Sequence, residues 1–204
     1  MEDAIFPMSR SQHKITRDDI LKDGDYDKIR DAKRRETIAL KGKRRMSVGP
    51  YATFYFESYD TMWYQVHEML RAERGGKGQI EDELSAYNPL VPNGRELVAT
   101  LMFEISDPVQ RQKILATLGG VEATVTLRIG TDVIDGIAEA DVDRTTAAGK
   151  ASSVHFLHFP LDDAQAASFK KSGVDVVLAI DRHGYRHMAR MPEDVRRALA
   201  ADLD

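Results

Sequence analysis

The densest concentration of reactive side chains lies in ESYDTMWYQVHEM, Glu57 to Met69. This stretch holds the only Trp of the chain, two Tyr, one His and three carboxylates. At helical spacing, Asp60, Trp63, Tyr64 and His67 fall at i, i+3, i+4 and i+7, and so share one stripe. Met62, Val66, Met69 and Leu70 form an apolar stripe turned partly away from it. A helix needs only one buried face, so a second face of aromatic and titratable groups suits the wall of a cleft. The residues just before it add the Tyr55 hydroxyl and the Glu57 carboxylate. His67, Asp60 and Glu68 are the side chains here that could hold a first-row metal, or serve a haem. Tyr55, Asp60, Tyr64, His67 and Glu68 are the candidates for general acid/base work. The plainer alternative is that Trp63 and Tyr64 cover a sheet while Asp60, His67 and Glu68 are solvated, since no His-Glu-x-x-His spacing is present.

Two other features could bind something. The loop NPLVPNGRE carries Asn88, Asn93 and Arg95 on a segment stiffened by Pro89 and Pro92. Arg95 could clamp a carboxylate or phosphate with two parallel hydrogen bonds, or simply pair with Glu96 or Glu104. Lys28 to Arg45 holds nine basic residues against Asp31 and Glu36, a net charge of +7 that leaves -11 on the rest of a chain whose total is -4. Lys33, Arg34, Arg35, Lys41, Lys43, Arg44 and Arg45 are therefore candidates for docking an acidic protein. The run lacks interleaved aromatics, which disfavours nucleic acid. His155 and His158 are no metal pair, because residues three apart on a strand point to opposite faces. His183 and His187 read as turn and cross-strand residues, and the glycine pairs at 75–76 and 119–120 as helix ends.

Composition narrows the classes further. There is no cysteine, which excludes disulfides, thiolate metal sites, Cys-ligated iron–sulfur clusters and a Cys nucleophile. The phosphate-binding, dinucleotide-binding and Gly-x-Ser-x-Gly motifs are all missing. No apolar run approaches the roughly 18 residues that span a bilayer, and the first twenty residues are polar, so a cytoplasmic location is expected.

The elements that must position these groups follow from periodicity. Residues 1–16 lack it and are expected to be a flexible leader, with a single α+β domain over 17–204. A capping pattern at Thr16–Asp19 precedes an exposed helix from Asp25 to about Lys41, with a thin apolar stripe of Tyr26, Ile29, Ala32 and Leu40. YATFYFE is a period-2 strand, with Tyr51, Thr53, Tyr55 and Glu57 on one face and Ala52, Phe54 and Phe56 on the other. Ser58 caps the helix that follows, and GQIEDELSAY returns as the second arm of a helical hairpin. Strands are expected at 95–105, 121–129, 153–159 and 174–180, with at most a short one near 133–138. Helices are expected from Pro108, over DDAQAASFKKSG, and over PEDVRRALAADL. The final hairpin turns at His183-Gly184, setting Asp181 opposite Arg186 and Ile180 opposite His187. The expected architecture is α+β: a mostly antiparallel sheet of five to seven strands, helices packed on it, and the basic helix at its edge.

Taken in order, SQHKITRDDI, SVGPYATFYFESYDTMWYQVHEML, AYNPLVPNGRELVATLMFEI and YRHMARMPEDVRRALAADL resemble the bacterial domain-of-unknown-function family 3501, over nearly the whole chain from about Ser11. The resemblance implies no established activity and no catalytic residues. It does imply a setting, because members of that family tend to be encoded near rubrerythrin-like di-iron proteins and iron–sulfur oxidoreductases. The expectation is an accessory binding protein that serves a redox partner through its basic helix. The alternatives are a metal- or haem-dependent enzyme on the 58–74 helix and a small-anion sensor using Arg95. The oligomeric state does not follow from the sequence.

Overall fold

A computed structural model describes residues 8–75, 77–139 and 150–204. Its helices are α1 (Met8–Ser11), α2 (Asp23–Gly42), α3 (Tyr59–Glu73), α4 (Lys77–Tyr87), α5 (Pro108–Leu115), α6 (Asp163–Lys170) and α7 (Glu193–Ala200). Its strands are β1 (Arg45–Val48), β2 (Ala52–Phe56), β3 (Glu96–Phe103), β4 (Val125–Ile129), β5 (Asp132–Asp135), β6 (Ile137–Ala138), β7 (Val154–Pro160), β8 (Val176–Arg182) and β9 (Tyr185–Arg190). The α+β class and the antiparallel pairing are as expected. The strands number nine among the described residues, however, and they form two sheets: β1-β2-β3-β7-β6 and β5-β4-β8-β9.

Alternation along the first sheet decides what faces what. Ala52, Phe54 and Phe56 of β2, Leu97, Ala99 and Leu101 of β3, and Leu157 and Phe159 of β7 join Leu127, Ile129, Leu178 and Ile180 of the second sheet in the main core, which Phe169 of α6 and Leu199 of α7 complete. The opposite face of the first sheet carries Val98 and Phe156, and the α3–α4 hairpin and the 3-10 turn after it cover these with Met62, Val66, Leu84 and Leu90 in a second apolar cluster. Tyr185 of β9 ties the sheets at one end. Its hydroxyl accepts the Tyr51 and Ala52 amides at 3.0 and 2.8 Å and donates to the Val48 carbonyl at 2.8 Å. Gly49 makes this approach possible: at φ +73°, any Cβ there would lie 2.5 Å from the His187 ring.

Several boundaries differ from those expected. The chain passes from the second sheet to the first between β5 and β6 at Gly136, where a Cβ would press on the Phe159 ring at 3.1 Å. Strand β1 is additional to the strands expected from periodicity. The expected strand over 121–129 begins only at Val125, because Val121–Thr124 closes into a 3-10 turn, with Thr124 Oγ1 donating to the Val121 carbonyl at 2.8 Å. The last hairpin keeps its expected register, Asp181 opposite Arg186 and Ile180 opposite His187. Of the expected leader, residues 1–7 lie outside the described residues, while 8–16 is docked. Ile15 is 1% exposed, and the Asn88 side chain pairs with both its amide and its carbonyl at 2.8 and 2.9 Å.

Candidate functional site

The polar stripe of α3 exists as spaced, and it is occupied by the protein's own N-terminal segment. Ser58 caps the helix and Asp60 stands in its first turn, ion-paired to Arg10. One turn on, Trp63 Nε1 donates to the Asp19 carbonyl at 2.9 Å. His67 Nε2 accepts the Leu21 amide at 3.0 Å, so Nδ1 carries the proton and donates to the Trp63 carbonyl at 2.9 Å. The imidazole packs against both Trp63 and Tyr26, with ring centroids 3.9 and 4.7 Å away, and those two rings also meet edge-on. Burial lowers the His67 pKa, which keeps the ring neutral. Glu68 receives both Arg30 nitrogens, at 2.8 and 2.7 Å, and the Tyr26 hydroxyl at 2.7 Å. The Arg30 guanidinium, aided by Tyr26, holds its carboxyl below the usual range. Arg71 reaches Asp27 at 2.7 Å one turn further. Residues 10–30 thus run the length of α3, and the second face is an internal berth.

This placement engages the α3 candidates for a metal or haem site within the fold. Both His67 nitrogens are committed, and Asp60 and Glu68 each face a guanidinium. Among the described residues, no group of three or more His, Asp or Glu side chains is placed to hold a metal ion. Tyr64 stays half-buried on the Glu68 side, where burial and that carboxylate raise its pKa. Nor do the loop candidates converge. Asn88 is spent on Ile15, Asn93 Oδ1 accepts the Arg95 amide at 2.8 Å, and Arg95 pairs with Asp163 at 3.0 Å and the Asp204 main-chain oxygen at 2.6 Å. His155 is fully buried and donates from Nε2 to the Ser152 carbonyl, while His158 lies on the opposite face of β7 between Glu96 and Glu139.

Tyr55 is the exception, because it borders an open cavity. The cavity has a volume of about 310 Å³ and lies where the α3–α4 hairpin stands off the outer face of β2, β3 and β7. Met62, Leu90, Met102 and Phe156 give apolar walls, and Glu57 and Thr100 give buried polar groups. Tyr55 donates to Glu104 at 3.0 Å, and burial together with that carboxylate raises its pKa.

The basic segment divides in two. Arg44 is the correction: at 3% exposure it cannot belong to a docking face. Its guanidinium donates to the Phe56, Glu57 and Ala198 carbonyls at 3.1, 2.8 and 3.3 Å and pairs with Asp202. Lys28, Arg30 and Lys33 are paired with Asp25, Glu68 and Glu36. Arg34, Arg35 and Lys43 are exposed, Lys41 is half-buried, and among the described residues none of the four forms an ion pair. Ile38, on the same stretch of α2, is 63% exposed. Sequence reasoning missed this side chain, since the expected apolar stripe named Ile29 and Leu40 instead.

The chain is thus a two-sheet α+β domain whose α3 stripe is covered by its own residues 10–30 and whose α2 carries exposed basic residues. The chain belongs to the family described as "Protein of unknown function (DUF3501)", whose model matches residues 14–203. A crystal structure described as a novel protein of unknown function from Burkholderia pseudomallei is similar to it, at 40% identity and a TM-score of 0.86, over 94% of this chain and 100% of that one. No curated protein matches. No helix among the described residues is long and apolar enough to cross a membrane.

Proposed function

We propose that this protein is an accessory binding module that docks an acidic partner protein through the outer face of α2 and the turn after it. One observation carries the reading: Arg34, Arg35, Lys41 and Lys43 form no ion pair among the described residues, and exposed Ile38 lies within one helical turn of the first three. Cations left unpaired on an otherwise acidic chain steer an acidic surface, and an apolar residue among them supplies a contact that excludes water. The resemblance to a family whose members tend to be encoded near iron–sulfur oxidoreductases and rubrerythrin-like proteins makes a redox protein of that kind the partner to test. The metal-enzyme and anion-sensor readings have no comparable support, because their residues are engaged within the fold.

The test is calorimetric titration of a purified iron–sulfur oxidoreductase or rubrerythrin-like protein from the same genome with wild-type protein, Ile38→Asp, and the triple variant Arg34→Glu, Arg35→Glu, Lys43→Glu. Three exposed pairs at about 0.5–1 kcal/mol each make the triple variant roughly 10- to 100-fold weaker. Binding should also weaken with added salt. Absence of wild-type binding, or unchanged binding by the triple variant, overturns the reading. So does light scattering that shows the face closing on a second copy of the chain, since the remaining charge of -11 complements it as well.

A further inference from the structure

The cavity beside Tyr55 has a feature that docking does not use. Glu57 is 4% exposed, and among the described residues no cation lies within ion-pair distance of its carboxylate. The nearby Arg44 guanidinium donates to the Glu57 main-chain carbonyl and spends its charge on Asp202. The carboxylate is held by two hydroxyls, Thr100 to Oε1 at 2.7 Å and Thr61 to Oε2 at 2.6 Å. Each carboxylate oxygen can accept more than one hydrogen bond, so both retain acceptor capacity.

The remaining lining has its own order. Met62 and Leu90 are buried beside Glu57, while Met102, Phe156, Tyr87 and Val154 are half-buried and lead outward. Lys41 stands among the half-buried groups. A cation beside Lys41 would meet its ammonium, whereas a cation beside buried Glu57 meets a carboxylate with no cation within ion-pair distance among the described residues, in a low-dielectric setting where the attraction is strongest. A pocket of about 310 Å³ is at the small end of those that take organic ligands.

From this the geometry points to a binding site for a small apolar molecule bearing a protonated amine, with the ammonium on Glu57 and the apolar body against Met62, Leu90, Met102 and Phe156. The site is independent of the α2 docking face, although Lys41 borders both. Titration of the ¹⁵N-labelled full chain at neutral pH, with 2-phenylethylamine and its neutral counterpart 2-phenylethanol as probes, tests it. The amine should shift amides around Glu57, Thr100 and Phe156, and bind roughly tenfold tighter than the alcohol. Glu57→Gln should erase that preference while the rest of the spectrum stays folded. Met102→Trp leaves the carboxylate in place but fills the apolar end, and should weaken both probes by roughly tenfold. Three results overturn the proposal: no localised shift at about 10 mM amine, equal binding of the two probes by wild type, or a preference that survives Glu57→Gln.

Discussion

Arg44 offers the sharpest test of how this chain divides its basic run. Its guanidinium makes hydrogen bonds to three main-chain carbonyls and an ion pair to Asp202, joining the end of β2 to α7. Breaking a buried pair by removing one partner costs about 3–5 kcal/mol, and each buried carbonyl left without a donor costs about 1–3 kcal/mol, not additively. Asp202 moderates the loss. Burial already pushes its carboxyl up against the pull of Arg44, so once Arg44 is gone it can take up a proton rather than persist as a bare charge. We therefore expect Arg44→Met, which keeps most of the stem, to lose about 3 kcal/mol in urea unfolding with an unchanged slope. Lys43→Ala and Arg45→Ala, one residue either way and exposed, should stay within about 0.5 kcal/mol. A loss below about 1 kcal/mol for Arg44→Met, no greater than for its neighbours, would refute the assignment of Arg44 to the interior.

Two further outcomes follow from the α3 berth and from β7. His67→Phe keeps a ring in contact with Tyr26 and Trp63 but leaves the Leu21 amide without an acceptor; it should cost about 1–2 kcal/mol and speed proteolysis within residues 10–30. Hydrogen bonding to Glu96, with Glu139 beside it, raises the His158 pKa above the unfolded value of about 6.5. Its contribution is therefore complete below about 6.5 and is lost as pH rises through the folded pKa, so His158→Gln should flatten that alkaline limb of the urea midpoint. His67 has the opposite sign, since its folded pKa is lowered and its share is lost as pH falls.

Much of this was legible, and the failures have physical reasons. Helical spacing placed Asp60, Trp63, Tyr64 and His67 on one face, but spacing cannot say what covers a face. The covering segment is largely polar and engages α3 partly through main-chain groups at Asp19 and Leu21, which leave no periodic trace. Ile15 is held the same way, through Asn88, so residues 8–16 read as a leader. Alternation in Val121, Ala123 and Val125 fits a strand as well as the 3-10 turn that forms, and Ala123 is exposed. The crossing from β5 of one sheet to β6 of the other runs through Gly136, where a Cβ would press on Phe159, and a lone glycine does not announce a change of sheet. Arg44 could have been found. Strand β1 alternates exposed and buried from Arg45 to Val48, and extending that phase back one residue puts Arg44 on the buried side with Met46 and Val48.

The same phase links the interior arginine to the cavity. Arg44 fixes the Glu57 carbonyl at 2.8 Å from below, while Thr61 and Thr100 fix the carboxylate from above. A glutamate seated only for packing would gain from a cation within reach, and one is adjacent. Yet that guanidinium is turned to Asp202, and the hydroxyls that hold Glu57 are neutral. Neutral donors orient a carboxylate without cancelling its charge, so the field of Glu57 remains available to the space beside Met62 and Leu90. Under this arrangement Arg44→Met should disturb the cavity as well as the fold, because the Glu57 backbone loses a donor. Thr100→Val, by contrast, would free one carboxylate oxygen while leaving Arg44 and Asp202 intact. The two variants separate support of the backbone from orientation of the charge.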